Sequence, residues 1–328
     1  MEKLYPLKLS HICKTPIWSG SRLIREWAKA SPSDVLGESW ELSVREGDVS
    51  VVENGALCSK TLFELIDQYG DALTGGFGCS DFPLLVKLID AADDLSVQVH
   101  PDNEYAAKVE NDRGKTEIWY ILDADEGARI VFGLRAGVTP EELADALRSG
   151  DPTGVLNYIP VRAGECYFIP AGLAHAIGKG VLIAEIQQNC DLTYRLYDYG
   201  RLGKDGRPRE LHVEKGLEVL KIFDEAQIDA IRYSRAGASS LSDSLADCEY
   251  FSLSRVSATQ GGVSLPYEAQ GSMRHLLCIG GEGELICGGE TYPVSRGASY
   301  LIPACLGDLT LSGSAVALVS VGRSQIGS

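Results

Sequence analysis

The sequence predicts a mainly β protein with a few peripheral helices, and three observations carry that expectation. Strand-like runs of five to eight residues recur along the chain, split by Gly, Pro, Asp and Asn. Glycine supplies 36 of the 328 residues, above the usual roughly 7%, as a fold with many turns requires. No strand–helix–strand rhythm repeats, which speaks against a doubly wound parallel sheet or a TIM barrel. With 45% hydrophobic residues the chain can bury a sizeable core, and its length suggests about two domains.

Taken in order, strands are expected at 40–45 and 48–53. Thr61-Leu-Phe-Glu64 is a capping box, and Leu62, Leu65, Ile66 and Tyr69 follow at helical spacing. Strands are expected again at 83–89, 95–100, 115–122 and 128–132. Thr139-Pro-Glu-Glu142 sets a cap, a first-turn proline and a reciprocal carboxylate before Leu143 and Leu147, with Gly150 as the stop. Strands at 165–169, 181–187 and 193–198 precede a third helix at about 212–223. Across 224–248 Ala, Ser, Asp and Gly accumulate as in a connector, and beyond it strands resume to 321 without a further helix. The expected division is 1–238 and 239–328. One internal echo relates the halves: Gly164-Glu-Cys-Tyr-Phe-Ile-Pro170 recurs as Gly297-Ala-Ser-Tyr-Leu-Ile-Pro303. The first copy runs on to His175, whereas the second reaches Asp308 with no histidine, so one unit can hold a metal and the other cannot.

A net charge of −16 argues against nucleic acid or an anionic membrane surface as partner, because phosphate contacts need clustered Lys and Arg. It leaves room for a small anionic substrate in a local basic pocket. No stretch approaches the ~20 apolar residues of a membrane span, and Lys3, Pro6 and Lys8 stand where a secretory leader would be apolar. Nine cysteines without a CxxC pair fit a reducing cytoplasm.

The chemistry concentrates in the first unit. In a strand successive side chains alternate between faces, so in Val97-Gln-Val-His100 the valines face one side and Gln98 with His100 the other. Polar groups pointing together from an apolar strand are costly to bury unless something coordinates them. By the same parity Lys115, Glu117 and Trp119 share a face, and the Pro-x-Gly turn before His175 can aim its imidazole inward. Two histidines, a carboxylate and an amide oxygen make a four-ligand set suited to Zn²⁺, with Mn²⁺, Fe²⁺ or Co²⁺ as rivals. His11, His212 and His275 are read as structural.

The run Gly164-x5-Pro170-x-Gly172-x2-His175 resembles the second motif of the cupins, jelly-roll β-barrels that hold a metal. More narrowly, Leu95-Ser-Val-Gln-Val-His-Pro101, Gly114-Lys-Thr-Glu-Ile-Trp-Tyr120 and Thr193-Tyr-Arg-Leu-Tyr-Asp198 resemble type I mannose-6-phosphate isomerases in their short bacterial form. That resemblance implies cupin-type barrels, one Zn²⁺ per chain on Gln98, His100, Glu117 and His175, and Arg195 as the catalytic arginine. It implies an aldose–ketose isomerase that interconverts mannose 6-phosphate and fructose 6-phosphate through an enediol, as a monomer or homodimer. A non-catalytic sugar-phosphate sensor on the same barrel is the alternative, and an Fe²⁺ oxygenase is disfavoured by the extra Gln98 ligand. Where the cupin pattern often ends in Asn, this chain has Lys179.

The other roles follow from charge. Lys115, beside Glu117, can support the enediol or donate to a hydroxyl. Glu185, among apolar neighbours, is expected to have a raised proton affinity and, with Asp191, to be a candidate proton carrier. Asp191 is also placed to orient Arg195. Substrate contacts are assigned to Lys87, Ser96 and Lys204, the last in the basic loop Gly200–Arg207. Gly75-Gly-Phe-Gly78 lacks the Gly-Lys-Ser/Thr of a P-loop and is read as a turn.

Overall fold

Val181–Gln188 is buried at every position, because the strand lies inside the molecule with apolar layers on both faces. In the computed structural model, which describes residues 2–233, 241–266 and 271–323, this strand sits centrally in a seven-stranded sheet. The sheet runs Arg232–Tyr233, Cys166–Ile169, Glu117–Ala124, Val181–Gln188, Leu84–Asp90, Glu38–Leu42 and Ile12–Lys14. On one face Val181 and Ile183 pack with Trp119, Ile121, Ile130, Phe132 and Ile177. The last three belong to a five-stranded sheet ordered Leu156–Pro160, Arg129–Leu134, His175–Ile177, Val97–Val99 and Tyr194–Tyr197. These two antiparallel sheets enclose the first core as a cupin-type β sandwich.

On the opposite face Leu182, Ala184 and Ile186 meet Leu253, Leu277, Leu301 and Leu318 of a six-stranded sheet, and Leu62, Leu65 and Ile66 of the helix Leu62–Tyr69. A four-stranded sheet covers the far side of that sheet, and Leu276, Tyr300 and Val319 join Leu285, Val294 and Leu311 in the second core. The strand Leu7–Lys8 belongs to this second unit by pairing, with Leu7 opposite Leu301 and Lys8 opposite Tyr300. The expected boundary between 238 and 239 lies outside the described residues.

Both capping boxes form, with reciprocal bonds at Thr61–Glu64 and Thr139–Glu142. The third helix is shorter than expected, Val213–Val219. Leu220 turns extended, and the Lys221 N–H is taken by the Gly172 carbonyl at 2.9 Å. Ile12–Lys14, Leu156–Pro160 and His175–Ile177 carry no clear alternation and escaped the sequence, as did the two-residue strands Leu7–Lys8 and Arg232–Tyr233. The stretch expected as a connector holds the helix Glu225–Ala230 and the strand Ser242–Asp247. The expected strand 48–53 shrinks to Asp48–Val49, with Val51 and Val52 in isolated bridges.

A buried polar junction ties the two units. Lys29 donates to Glu41 Oε2 at 2.6 Å and to the Gly297 carbonyl at 2.7 Å, and Ser299 donates to the Glu41 carbonyl at 2.7 Å. Neither Lys29 nor Glu41 is exposed. Removing one member of such a pair strands the other charge, so Lys29→Met should cost about 3 kcal/mol, measured by chemical denaturation. A loss below about 1 kcal/mol would show that the junction holds little of the fold together.

Candidate metal centre and active site

Two sheets converge on one point. Gln98 stands opposite His175 on one neighbouring strand and opposite Arg195 on the other. Glu117 reaches across from the seven-stranded sheet, where it pairs with Ile169 and Gln187. The turn into His175 is closed by Leu173 N–H to the Pro170 carbonyl, with Gly172 at φ +93°, a backbone state that favours glycine. The Gly172 N–H in turn donates to the His100 carbonyl at 2.9 Å, so the turn and the His100 segment are fixed to each other.

The donor atoms meet as a compact cluster. His100 Nε2 and His175 Nε2 are 3.1 Å apart, and Glu117 lies 3.4 Å from His175 and 3.7 Å from His100. The Gln98 amide nitrogen lies 3.3 Å from His175 Nε2, and a half-turn of the amide brings its oxygen, the ligating atom, to that place. Ligands held about 2.0–2.1 Å from a tetrahedral ion would stand roughly 3.3 Å from one another, so the cluster has the right size. His175 donates Nδ1–H to the Leu173 carbonyl at 2.8 Å, which leaves its Nε2 lone pair facing the cluster. Burial, opposed by the Leu173 bond and aided by Lys115, brings His175 down to about 4. Burial, Lys115 and His175 hold His100 well below the ordinary histidine range. Both rings are therefore neutral, and His175 turns an unprotonated Nε2 toward His100 and Glu117. Glu117 Oε1, buried 3.4 Å from that nitrogen, accepts no hydrogen bond, a costly arrangement unless a cation sits there. The fit extends to charge: Lys87 and Lys115 face four carboxylates, Glu38, Glu117, Glu185 and Asp191. A divalent ion balances that excess.

The remaining expected residues divide into two groups. Lys115, buried, bonds Glu117 at 3.0 Å and lies 3.9 Å from Glu185. Burial disfavours its charge, but Glu117, Glu185 and Asp191 outweigh this and raise its proton affinity. Glu185 corrects the sequence reading: its proton affinity is lowered, not raised. Burial alone would raise it, but Lys115, Lys87 and a 3.0 Å bond from Trp119 Nε1 overcome that. Asp191 is corrected too. It accepts from Lys87 at 3.4 Å, whereas Arg195 Nε donates to Ser96 Oγ at 3.3 Å and Nη1 to the Glu210 carbonyl at 2.8 Å. Lys87 is enclosed by Glu38, Glu185 and Asp191 and lies over the Trp40 ring. Lys204 stands apart, bonding Thr15 at 2.9 Å along a cleft of about 610 Å³ that Lys14, Trp40, Asp191 and Arg209 also line. Trp119 was missed as a site residue although its parity with Lys115 and Glu117 pointed there; its edge also meets His175 at 5.4 Å between centroids.

The second copy of the motif shows why, among the described residues, only the first unit gathers such a cluster. Ile302 pairs with Arg274 as Ile169 pairs with Glu117. The buried Arg274 guanidinium donates to the Leu306 and Gly307 carbonyls at 2.7 and 2.6 Å. A fixed side-chain cation stands in the motif where the first unit offers a carboxylate.

Fold and cluster together define a cupin-type protein of two β units, the first with a His–Glu–His group that could bind a metal ion. The family model for the type I phosphomannose isomerase catalytic domain matches residues 7–129, and that for the mannose-6-phosphate isomerase cupin domain matches 242–321. The chain is 38% identical to mannose-6-phosphate isomerase ManA of Bacillus subtilis over 96% of its own length and 98% of that protein. It is 39% identical to a mannose-6-phosphate isomerase of Streptococcus mutans over 91% and 92%. The crystal structure of the Bacillus subtilis mannose 6-phosphate isomerase superposes with TM-score 0.87 at 35% identity, covering 96% and 99% of the two chains. A mannose 6-phosphate isomerase bound with zinc and yttrium shares the fold at TM-score 0.77 and 16% identity. The chain belongs to the type I mannose-6-phosphate isomerase family, and it is an aldose–ketose isomerase acting on mannose 6-phosphate.

Proposed function

We propose that one zinc ion sits on Gln98, His100, Glu117 and His175, and that the isomerisation passes a proton between C1 and C2 through an enediol. The observation that carries this is the meeting of two neutral imidazole nitrogens and a buried carboxylate at ligand spacing, with the Gln98 amide beside them and Lys115 paired to that carboxylate. When bound, the ion supplies positive charge to the oxygens that become anionic along the reaction. Lys115 adds a fixed cation on the Glu117 side. Arg195, braced by Ser96 and Glu210 on the strand next to Gln98, adds a second from the edge strand.

Glu185 carries the proton better than Asp191 does. It is buried and held ionised by Lys115 and Lys87, with Trp119 fixing its orientation, so it can accept a proton without first losing one. Asp191 is more exposed and lies along the cleft. Glu185→Gln should abolish solvent-deuterium incorporation into product, while Asp191→Asn should retain it. Incorporation unchanged in the alanine variants of both would reject either as the carrier. The phosphate is placed along the cleft lined by Lys14, Lys204 and Arg209, away from the metal ligands. No helix of the described residues is long and apolar enough to cross a membrane, and nine unpaired cysteines favour a reducing cytoplasm.

The test of the whole reading is turnover of mannose 6-phosphate to fructose 6-phosphate before and after chelation, followed by add-back of zinc, manganese, iron or cobalt. Activity lost on chelation and restored best by zinc is the expected result. Full activity in a metal-free preparation would remove zinc from the proposal while leaving the isomerase activity in place.

A further inference from the structure

Arg195 lies on an edge strand, Tyr194–Tyr197, whose inner side pairs with Val97–Val99. The pairing is irregular at this point: Arg195 stands opposite Gln98, but Tyr197 stands opposite Val97, so the strand bulges just after the arginine. Bulges redirect side chains, and they need support because the ladder is broken there. The support comes from the other side. The His212 N–H donates to the Arg195 carbonyl at 2.7 Å, and the Arg195 N–H donates to His212 Nδ1 at 3.3 Å. His212 thus acts as a one-residue strand partner, with its ring standing in for the missing carbonyl.

Two further observations separate this from an ordinary helix cap. His212 occupies the N-cap of Val213–Val219 but makes no side-chain capping bond to that helix; its acceptor nitrogen is spent on Arg195. The same segment supplies the Glu210 carbonyl that receives Arg195 Nη1 at 2.8 Å. Backbone and guanidinium of Arg195 are therefore held by neighbouring residues of one short segment.

We propose that His212 is a positioning residue for Arg195, with its Nδ1 acceptor fixing the bulge that aims the guanidinium at the site. This rests on the catalytic reading of Arg195. His212 touches no metal ligand in any contact described and holds no reacting group itself, so its effect on turnover passes through Arg195 alone.

The test is a set of variants in the zinc-loaded enzyme. Asparagine places an oxygen near the Nδ1 position, whereas glutamine extends its oxygen one bond further. His212→Asn should therefore stay within about twofold of wild-type kcat. His212→Gln and His212→Leu should lower kcat about tenfold with zinc content unchanged. In an Arg195→Ala background His212→Gln should cost nothing further, since groups that act as a unit are not additive. Wild-type kcat in His212→Gln beside an impaired Arg195→Ala enzyme would overturn the positioning role, as would an equal loss from His212→Gln in both backgrounds. If Arg195→Ala itself turns over normally, the reading of Arg195 fails, and the role of His212 falls with it.

Discussion

Arg195→Ala is expected to lower kcat about 10²-fold while zinc content and thermal midpoint stay close to wild type. The magnitude follows from what one preorganised cationic donor is worth where negative charge develops, about 3 kcal/mol. Arg195 is suited to that task because its guanidinium is braced before substrate arrives, with Nε on Ser96 and Nη1 on the Glu210 carbonyl. Partial burial, with Arg209 and Arg201 nearby, lowers its proton affinity, yet an arginine keeps its charge throughout the working pH range. The metal should remain because none of the four donors is held by this side chain. The fold should remain because only hydrogen bonds near the edge of a sheet are lost. Arg195→Lys should recover part of the loss, since a lysine restores the charge but cannot reach both partners at once. The measurement is steady-state turnover together with metal analysis of the same preparation. Near-normal turnover in Arg195→Ala would leave the isomerase without its proposed cation on that side.

What the sequence revealed depended on how local the signal was. Gln98 and His100 were legible because alternation within one strand sets two polar side chains on one face, and Glu117 with Lys115 for the same reason. Both long capping boxes were legible because the reciprocal bonds lie three residues apart. The proton affinity of Glu185 was misread because its apolar neighbours are adjacent in sequence, while Lys87 stands opposite it on one neighbouring strand and Lys115 lies just before the other. Asp191 was misassigned for a related reason: four residues from Arg195 in the chain, it is directed by the fold to Lys87 instead. The strand His175–Ile177 showed no alternation because both of its faces are buried. His212 looked structural because nothing near it in sequence reveals that Arg195, seventeen residues earlier, lies beside its ring.

Replacing His175 should do what replacing Arg195 does not. Its Nε2 is the best centred of the four donors, lying 3.1 Å from His100, 3.3 Å from the Gln98 amide and 3.4 Å from Glu117. Its other nitrogen is locked on Leu173, so the ring cannot turn away and no neighbour can take its place. Loss of an outer partner of a ligand already weakens metal binding by about 10- to 100-fold, and loss of the ligand itself should exceed that. His175→Ala is therefore expected to retain little zinc after dialysis and to lose activity beyond the Arg195→Ala level. Because an ion that binds only the folded state raises stability by mass action, added zinc should raise the thermal midpoint of wild type and Arg195→Ala but hardly that of His175→Ala. His100→Ala should follow the same pattern. If His175→Ala bound zinc as tightly as wild type, the facing imidazole nitrogens and the excess of carboxylates would need another explanation, and the Lewis-acid part of the mechanism would go with them.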